Sequence, residues 1–417
     1  MMSSHKEIVA LSPTARRNAW LAIAASFFGD FAFVLPIWLL YSLNHLHLSP
    51  TISVALFTGV FLVSALLEVP TGALADRMGR KRAFYIGKIL FLIFPLGYVF
   101  EFSLSLFLVS ALIAGFGSSL SSGALPPLVH AIYQAEGASK RDYTKFFTRS
   151  QAAMFLARVI SGVGGAWLYV IHPVLPFVGW AFSTVCNIVI GFCVTDSHIA
   201  DKTITYKAHI GSAIKQMMRS QVILLLLIMS VLIGLVTEAI WTGYQVFYTQ
   251  DGQSPLVIGS LFSVIALFGA ITVLLVRRTY ARFSPFTILV FGSLLTLLTA
   301  LLIYQPNGQL RLLAIVPMAV AAGFMFTTVQ VAIQSIIPNK FHSTALAVGS
   351  LVAYGVYFVG SLWIGWVIDI YDVESARFAV FVSAIVSLLV VSAIGIVGAR
   401  KYRFRIEDEE NLIEPQR

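Results

Sequence analysis

An ionisable side chain inside an apolar run long enough to cross a bilayer costs on the order of 3 kcal/mol to place there. Each such residue is therefore a candidate for chemistry, and Asp30, Glu68, Arg158 and Glu238 stand out in this 417-residue sequence. A carboxyl group in such surroundings can take up and release a proton or hold a cation, so Asp30, Glu238 and Glu68 are the proton-coupling candidates. An arginine keeps its charge, which makes Arg158 a partner for a carboxylate, with Asp30 among the candidates, or a contact for an anion. On helical spacing Asp30 shares a face with Phe33, Ile37 and Tyr41, and Glu238 shares one with Trp241, Gln245 and Tyr248. A structural ion pair is the competing role for these acids. Lys88 is near enough to a span end to snorkel to the interface and is read as structural.

Amides and aromatics define the other candidate surface. Gln330 and Gln334 are one turn apart, Tyr354, Tyr357 and Ser361 form another polar-aromatic face, and Trp241 lies close to Glu238 in sequence. With Phe33, Ile37 and Gln245 they are the candidate lining of a cavity for amphipathic organic molecules. Tyr41 and Tyr248 have a second reading as interfacial belt residues. Cys186 and Cys193 share one helix face without metal-site company and read as small hydrophobes. No phosphate loop, metal cluster or nucleophile constellation is present in the sequence. No cofactor, metal or covalent chemistry is expected, and the chain does not read as an enzyme.

The elements that must position these residues follow from composition. Hydrophobic residues make up 58% of the chain and charged ones 11%, with a mean hydropathy of +0.86. Soluble domains carry about a quarter charged residues, so the solvent is lipid. Apolar runs bounded by breakers fall at roughly 19–43, 51–75, 83–101, 104–133, 146–170, 173–195, 221–249, 255–276, 286–305, 310–336, 345–370 and 375–400, each about the length of a transmembrane helix. Pro126 and Pro127 must disrupt the fourth, with His130 a turn beyond. The polar start up to Asn18 is followed by no cleavage site, so the first span is expected to remain.

With a cytoplasmic N-terminus, 24 of the 28 Lys and Arg residues fall on the inside and only Arg311 and Arg377 in outside loops. This is the positive-inside pattern, and it places both termini in the cytoplasm. It also removes nucleic acid as the explanation of the +9 net charge. The expected organisation is a tail 1–18, a six-helix half 19–195, a linker 196–220, a second six-helix half 221–400 and a tail 401–417. The halves echo each other: Ser49-Pro50 and Ser254-Pro255 open the second and eighth spans, and Leu56-Phe57 and Leu261-Phe262 follow at the same offset. Repeated halves around a midplane site are a common plan of secondary transporters.

After the second span stands Gly72-Ala-Leu-Ala-Asp-Arg-Met-Gly-Arg-Lys81. It resembles the major facilitator loop Gly-x-Leu-Ala-Asp-Arg-x-Gly-Arg-Lys at every fixed position. The resemblance implies an all-α fold of twelve transmembrane helices in two pseudo-symmetric bundles, working by alternating access. It also implies that Gly72, Asp76, Arg77, Gly79 and Arg80 form a cytoplasmic gate that latches the halves in the outward-facing state. Gly72 and Gly79 suit close approach and a tight reversal, and Asp76 suits an arginine or a helix N-terminus. The corresponding second-half loop, Arg277 to Arg282, keeps only the positive charge. Glu68 to Asp76 with Ser122-Gly-Ala124 is similar to a bacterial branch containing many drug and metabolite exporters. Two carboxylates common there are replaced here by Leu125-Pro-Pro127 and Tyr133-Gln134, so their roles do not transfer. Ser161-Gly-Val-Gly-Gly165 suits small-residue helix packing.

The expectation is a monomeric inner-membrane transporter that expels a small organic molecule against proton entry. An importer or uncoupled facilitator is the rival, and a non-transporting sensor or scaffold on the same fold is the remote one.

Overall fold

The computed structural model describes residues 11–122, 124–138, 140–195, 220–280, 282–336 and 342–401. The linker 196–219 and both chain ends lie outside them. The first half contains α1 (Pro13–Asp30), α2 (Trp38–Asn44), α3 (Pro50–Met78), α4 (Arg80–Val99), α5 (Leu104–Ser122), α6 (Leu125–Ala135), α7 (Lys140–Ile171) and α8 (Leu175–Cys193). The second contains α9 (Gln221–Gln250), α10 (Pro255–Tyr280), α11 (Pro285–Tyr304), the short α12 (Gly308–Leu312), α13 (Ile315–Ile336), α14 (His342–Ile370) and α15 (Val373–Lys401). Among the described residues, eleven helical segments are long and apolar enough to cross a membrane.

The first apolar run is absent from those eleven because it is not one helix. Instead of a span over 19–43, α1 starts at Pro13, capped by Ser12, and stops at Asp30. Residues 31–37 form turns around Pro36, which has no N–H to continue a ladder, and α2 resumes at Trp38. The expected common face of Asp30, Phe33 and Ile37 is therefore lost. The fourth run also breaks, here as expected: α5 ends at Ser122 and α6 begins with Pro126 and Pro127 in its first turn.

Breaking α1 frees backbone groups that lipid cannot satisfy, and α8 supplies a partner for one of them: Ser183 donates to the Phe28 carbonyl. Just before the break, the Asn187 amide, oriented to satisfy both of its atoms, lies against Ala25 O and Gly29 N, themselves an i→i−4 pair of α1, at 3.1 Å each. At the other end of α1, Asn18 exchanges two hydrogen bonds with the Thr195 backbone at 2.8 and 3.1 Å.

The Ser-Pro echo has a structural meaning. Ser49 caps α3 and Ser254 caps α10, each accepting from the N–H three residues on, with the proline in the first helical position. Within the first half, α4 packs on α5 and α8, α3 on α5, and α1 on α7 and α8. Within the second, α9 packs on α14 and α15, and α11 on α13 and α15. The halves meet through α7 with α10, α3 with α14, and α2 with α9.

The two arginines that depart from the charge pattern are buried rather than exposed. Arg377, at 0% side-chain exposure, reaches Asp251 at 2.8 Å and Glu374 at 2.5 Å. Arg311 also pairs with Asp251, and its backbone carbonyl accepts from Tyr248 Oη at 2.7 Å. Tyr41 is equally buried and donates to Tyr98 O at 3.1 Å. Neither tyrosine is therefore a belt residue.

Removing the carboxylate that both arginines share leaves a buried charge undercompensated, which costs roughly 3 kcal/mol. Asp251→Ala is expected to lower unfolding stability in detergent by that order, whereas Lys145→Ala at an exposed surface pair leaves it nearly unchanged. A pH effect is expected where α1 meets α6. Ser12 donates to Glu136 through Oγ at 2.5 Å and through its backbone N at 2.8 Å, which holds that carboxyl below its usual range. The contribution is present above the unfolded carboxyl pKa and is lost as pH falls through the depressed folded value. Melting curves across acidic pH should show this loss, and Ser12→Ala should reduce it.

Candidate functional site

Between the halves, the ionisable residues of the spans collect around two tyrosines. Asp30 stands at the C-terminal end of α1, where the helix dipole disfavours an anion. Arg158 of α7 compensates: its Nε and Nη2 reach Asp30 Oδ1 at 2.7 and 2.6 Å. Their side chains are 22% and 39% exposed, so the pair borders open space instead of sitting in a packed core. The guanidinium also lies over the Phe155 ring at 5.9 Å.

Tyr354 and Tyr357 lie one turn apart on α14 of the second half, and Tyr354 is the one near this pair. Tyr354 lies within electrostatic range of Glu68, Arg158 and Asp30, and Tyr357 within range of Glu238. Phe61 of α3 bridges the seam, stacked on Tyr354 at 5.9 Å with an interplanar angle of 13° and 6.0 Å from Tyr357. Trp241 is half-buried, within hydrogen-bonding reach of Tyr357 and 5.5 Å from Phe262. Glu68 and Glu238 are each half-buried, and neither carboxyl makes a hydrogen bond or ion pair among the described residues. Glu238 packs where α9 passes Gly360 of α14.

Lys88 belongs here too. Its ammonium lies over Phe84 and Phe91 at 5.8 and 5.6 Å, within electrostatic range of Asp30. Sequence reading set it aside as a snorkelling residue. The missed signal was its position four residues beyond Phe84, on a face shared with Phe91.

Other candidates lie elsewhere. Ile37 is fully buried in the first-half core. Phe33 fills a notch made by Gly164 of α7 and Gly179 of α8, where a Cβ would come within 3.1 and 2.6 Å of its ring. Both shifts follow from the break after Asp30. Gln245 is 1% exposed and faces the backbone of the broken span: Oε1 accepts from Leu39 N at 3.0 Å and Nε2 donates to Leu35 O at 3.1 Å. Gln330 and Gln334 lie on α13 with side chains outside the described set.

The Gly72–Lys81 segment, expected as a loop, is helical except at Gly79; in it Asp76 pairs with Arg80 at 3.6 Å, Arg77 is exposed and Lys81 donates to Phe192 O at 2.9 Å. Gly79 links α3 to α4 at φ +92°, a conformation that requires glycine there. Gly72 differs from expectation: it is exposed, and nothing stands within 4 Å of where a Cβ would be.

A helical bundle in two halves, with charged and aromatic residues gathered at the seam, is the architecture of a membrane transporter. The chain belongs to the Major Facilitator Superfamily, whose family model matches residues 19–361. It is accordingly a transporter of small molecules. Solved structures share the fold at low sequence identity. The nucleoside transporter NupG has a TM-score of 0.74 at 12% identity, covering 92% of this chain and 99% of its own. A POT family transporter in complex with 5-aminolevulinic acid scores 0.75 at 14%, covering 92% and 96%. A D-xylose-proton symporter scores 0.72 at 14%, covering 91% and 97%. No curated protein matches the sequence at a significant level.

A double-mutant cycle tests the pair at the broken helix. Asp30→Asn and Arg158→Gln should each destabilise more than half as much as the double variant, with a coupling energy of roughly 1–3 kcal/mol read from unfolding curves.

Proposed function

We propose that the protein expels a small amphipathic organic molecule across the cytoplasmic membrane in exchange for protons, by alternating access, as a monomer. The observation that carries this is Glu238, a half-buried carboxyl at the seam with no hydrogen bond or ion pair among the described residues. An acid so placed can bind and release a proton without first breaking a bridge, whereas Asp30 is held by Arg158. Coupling is therefore assigned first to Glu238, then to Glu68, with Asp30 and Arg158 as a fixed dipole in the pathway wall. Tyr354, Tyr357 and Trp241, with Gln330 and Gln334, contribute the substrate surface.

In this reading α1 and α2 together make a twelfth crossing, and the halves are 19–195 and 221–400. The tails 1–18 and 401–417 and the linker 196–220 face the cytoplasm. The positive-inside distribution supports that orientation. The Gly72–Lys81 loop, with Asp76, Arg77 and Arg80, is then the cytoplasmic gate. The inter-half hydrogen bonds seen among the described residues lie toward the other end, which supports an inward-open state.

The test is transport into proteoliposomes carrying an imposed pH gradient of either sign, run against a panel of amphipathic cations, weak acids and neutral metabolites. Glu238→Gln should reduce gradient-driven accumulation to background while labelled substrate still exchanges without a gradient. Wild-type accumulation by that variant refutes the assignment, and flux indifferent to a proton ionophore identifies a facilitator.

A further inference from the structure

The hydrogen bonds across the seam have a common form. Asp369, near the end of α14, accepts from Thr51 N at 2.9 Å. Thr51 is the second residue of α3, where N–H groups have no intrahelical partner and the helix end is partly positive. Ser263 of α10 accepts from Val163 N at 3.1 Å and donates to Val159 O at 2.6 Å. Those two atoms are the partners of one i→i−4 bond of α7, so the hydroxyl sits astride the ladder of the neighbouring helix. Close approach makes this possible: a Cβ on Gly162 would stand 2.7 Å from Gly259 O.

The third contact is at the broken span. Gln245 accepts from Leu39 N and Leu40 N at 3.0 and 3.4 Å and donates to Leu35 O at 3.1 Å. It caps α2, whose own preceding residue Ile37 offers no side-chain cap. Tyr244 adds a bond from its hydroxyl to Pro36 O at 3.4 Å. In each case the first half contributes main chain and the second half contributes a side chain.

We propose that Gln245, Ser263 and Asp369 together form the lock that holds this end closed, and that the first half's side chains at these bonds contribute little to it. This rests on the alternating-access reading. Separation leaves the first-half groups with other partners: Val159 and Val163 belong to the continuous helix α7 and keep its i→i−4 pairing, and the start of α3 can bind water. The second-half side chains therefore set how much closure gains over opening. Gln245 stands two turns along α9 from Glu238, on the same face, so the lock and the seam carboxyl move on one rigid element.

The test reads the opening of this end directly and uses no substrate or proton gradient, so its failure is distinct from failure of the coupling assignment. Spin labels are placed at Ile171→Cys and Tyr371→Cys, which are 55% and 65% exposed at this end in opposite halves. Cys186 and Cys193 are replaced by Ser, and the chain is reconstituted in lipid nanodiscs. The parent should give mainly one distance. Gln245→Ala, Ser263→Ala and Asp369→Ala should each enlarge a longer-distance population, and pairs of them should enlarge it further. Thr51→Val and Val163→Ala keep the main-chain donors and should match the parent, whereas Thr51→Pro deletes the N–H and should behave like Asp369→Ala. The proposal is overturned if the second-half variants, eluting as folded protein, keep the parent distribution. It is equally overturned if Thr51→Val and Val163→Ala shift the distribution as far as they do.

Discussion

Seven residues of backbone that are not helical, within a span that should cross hydrocarbon, are the constraint around which the rest is arranged. Residues 31–37 interrupt the first span, and every freed N–H and C=O there needs a partner from protein. The Ser183 side chain of α8 serves the end of α1, and Gln245 and Tyr244 of α9 serve the start of α2 and the turn before it. One break therefore dictates polar residues on two other helices, one in each half. It also leaves Asp30 at a helix C-terminus, where Arg158 is needed to keep the charge tolerable.

Charge is divided unevenly between the halves as a result. The first half supplies Asp30, Glu68 and Arg158 to the seam, with one tight pair among them, and Lys88 lies behind them within the first half. The second supplies Glu238 and two phenols. Phe61 reaches across to both tyrosines, so an aromatic contact lies between the two groups of polar residues, and among the described residues no ion pair joins them.

Much of this was legible in the sequence, for identifiable reasons. Apolar run length located the spans, Pro126 and Pro127 marked the interruption of the fourth, and the repeated Ser-Pro pairs marked two identical helix starts. The glycine of the charged loop was recognisable as a reversal, and Gly79 has the positive φ that this needs. What failed was extrapolation along a face. The cavity assignments of Phe33 and Ile37 assumed that 3.6 residues per turn continued past Asp30, and the chain stops being helical there. Gln245 is expected in the cavity because it shares a helical face with Glu238, but it is buried, and its partners are backbone atoms exposed only by that break. Lys88 was set aside because depth along a helix says little about which neighbours surround it. The Asp251 cluster was invisible because its members are spread over three segments of sequence.

That cluster bears on how the protein is made. Asp251 ends α9, Arg311 lies in α12, and Glu374 and Arg377 open α15. The four charges cancel, and α15 supplies two of them, so the cluster is complete only when that helix is packed on the end of α9. A chain lacking α15 would leave Asp251 with Arg311 alone of these partners and the burial of both less well compensated.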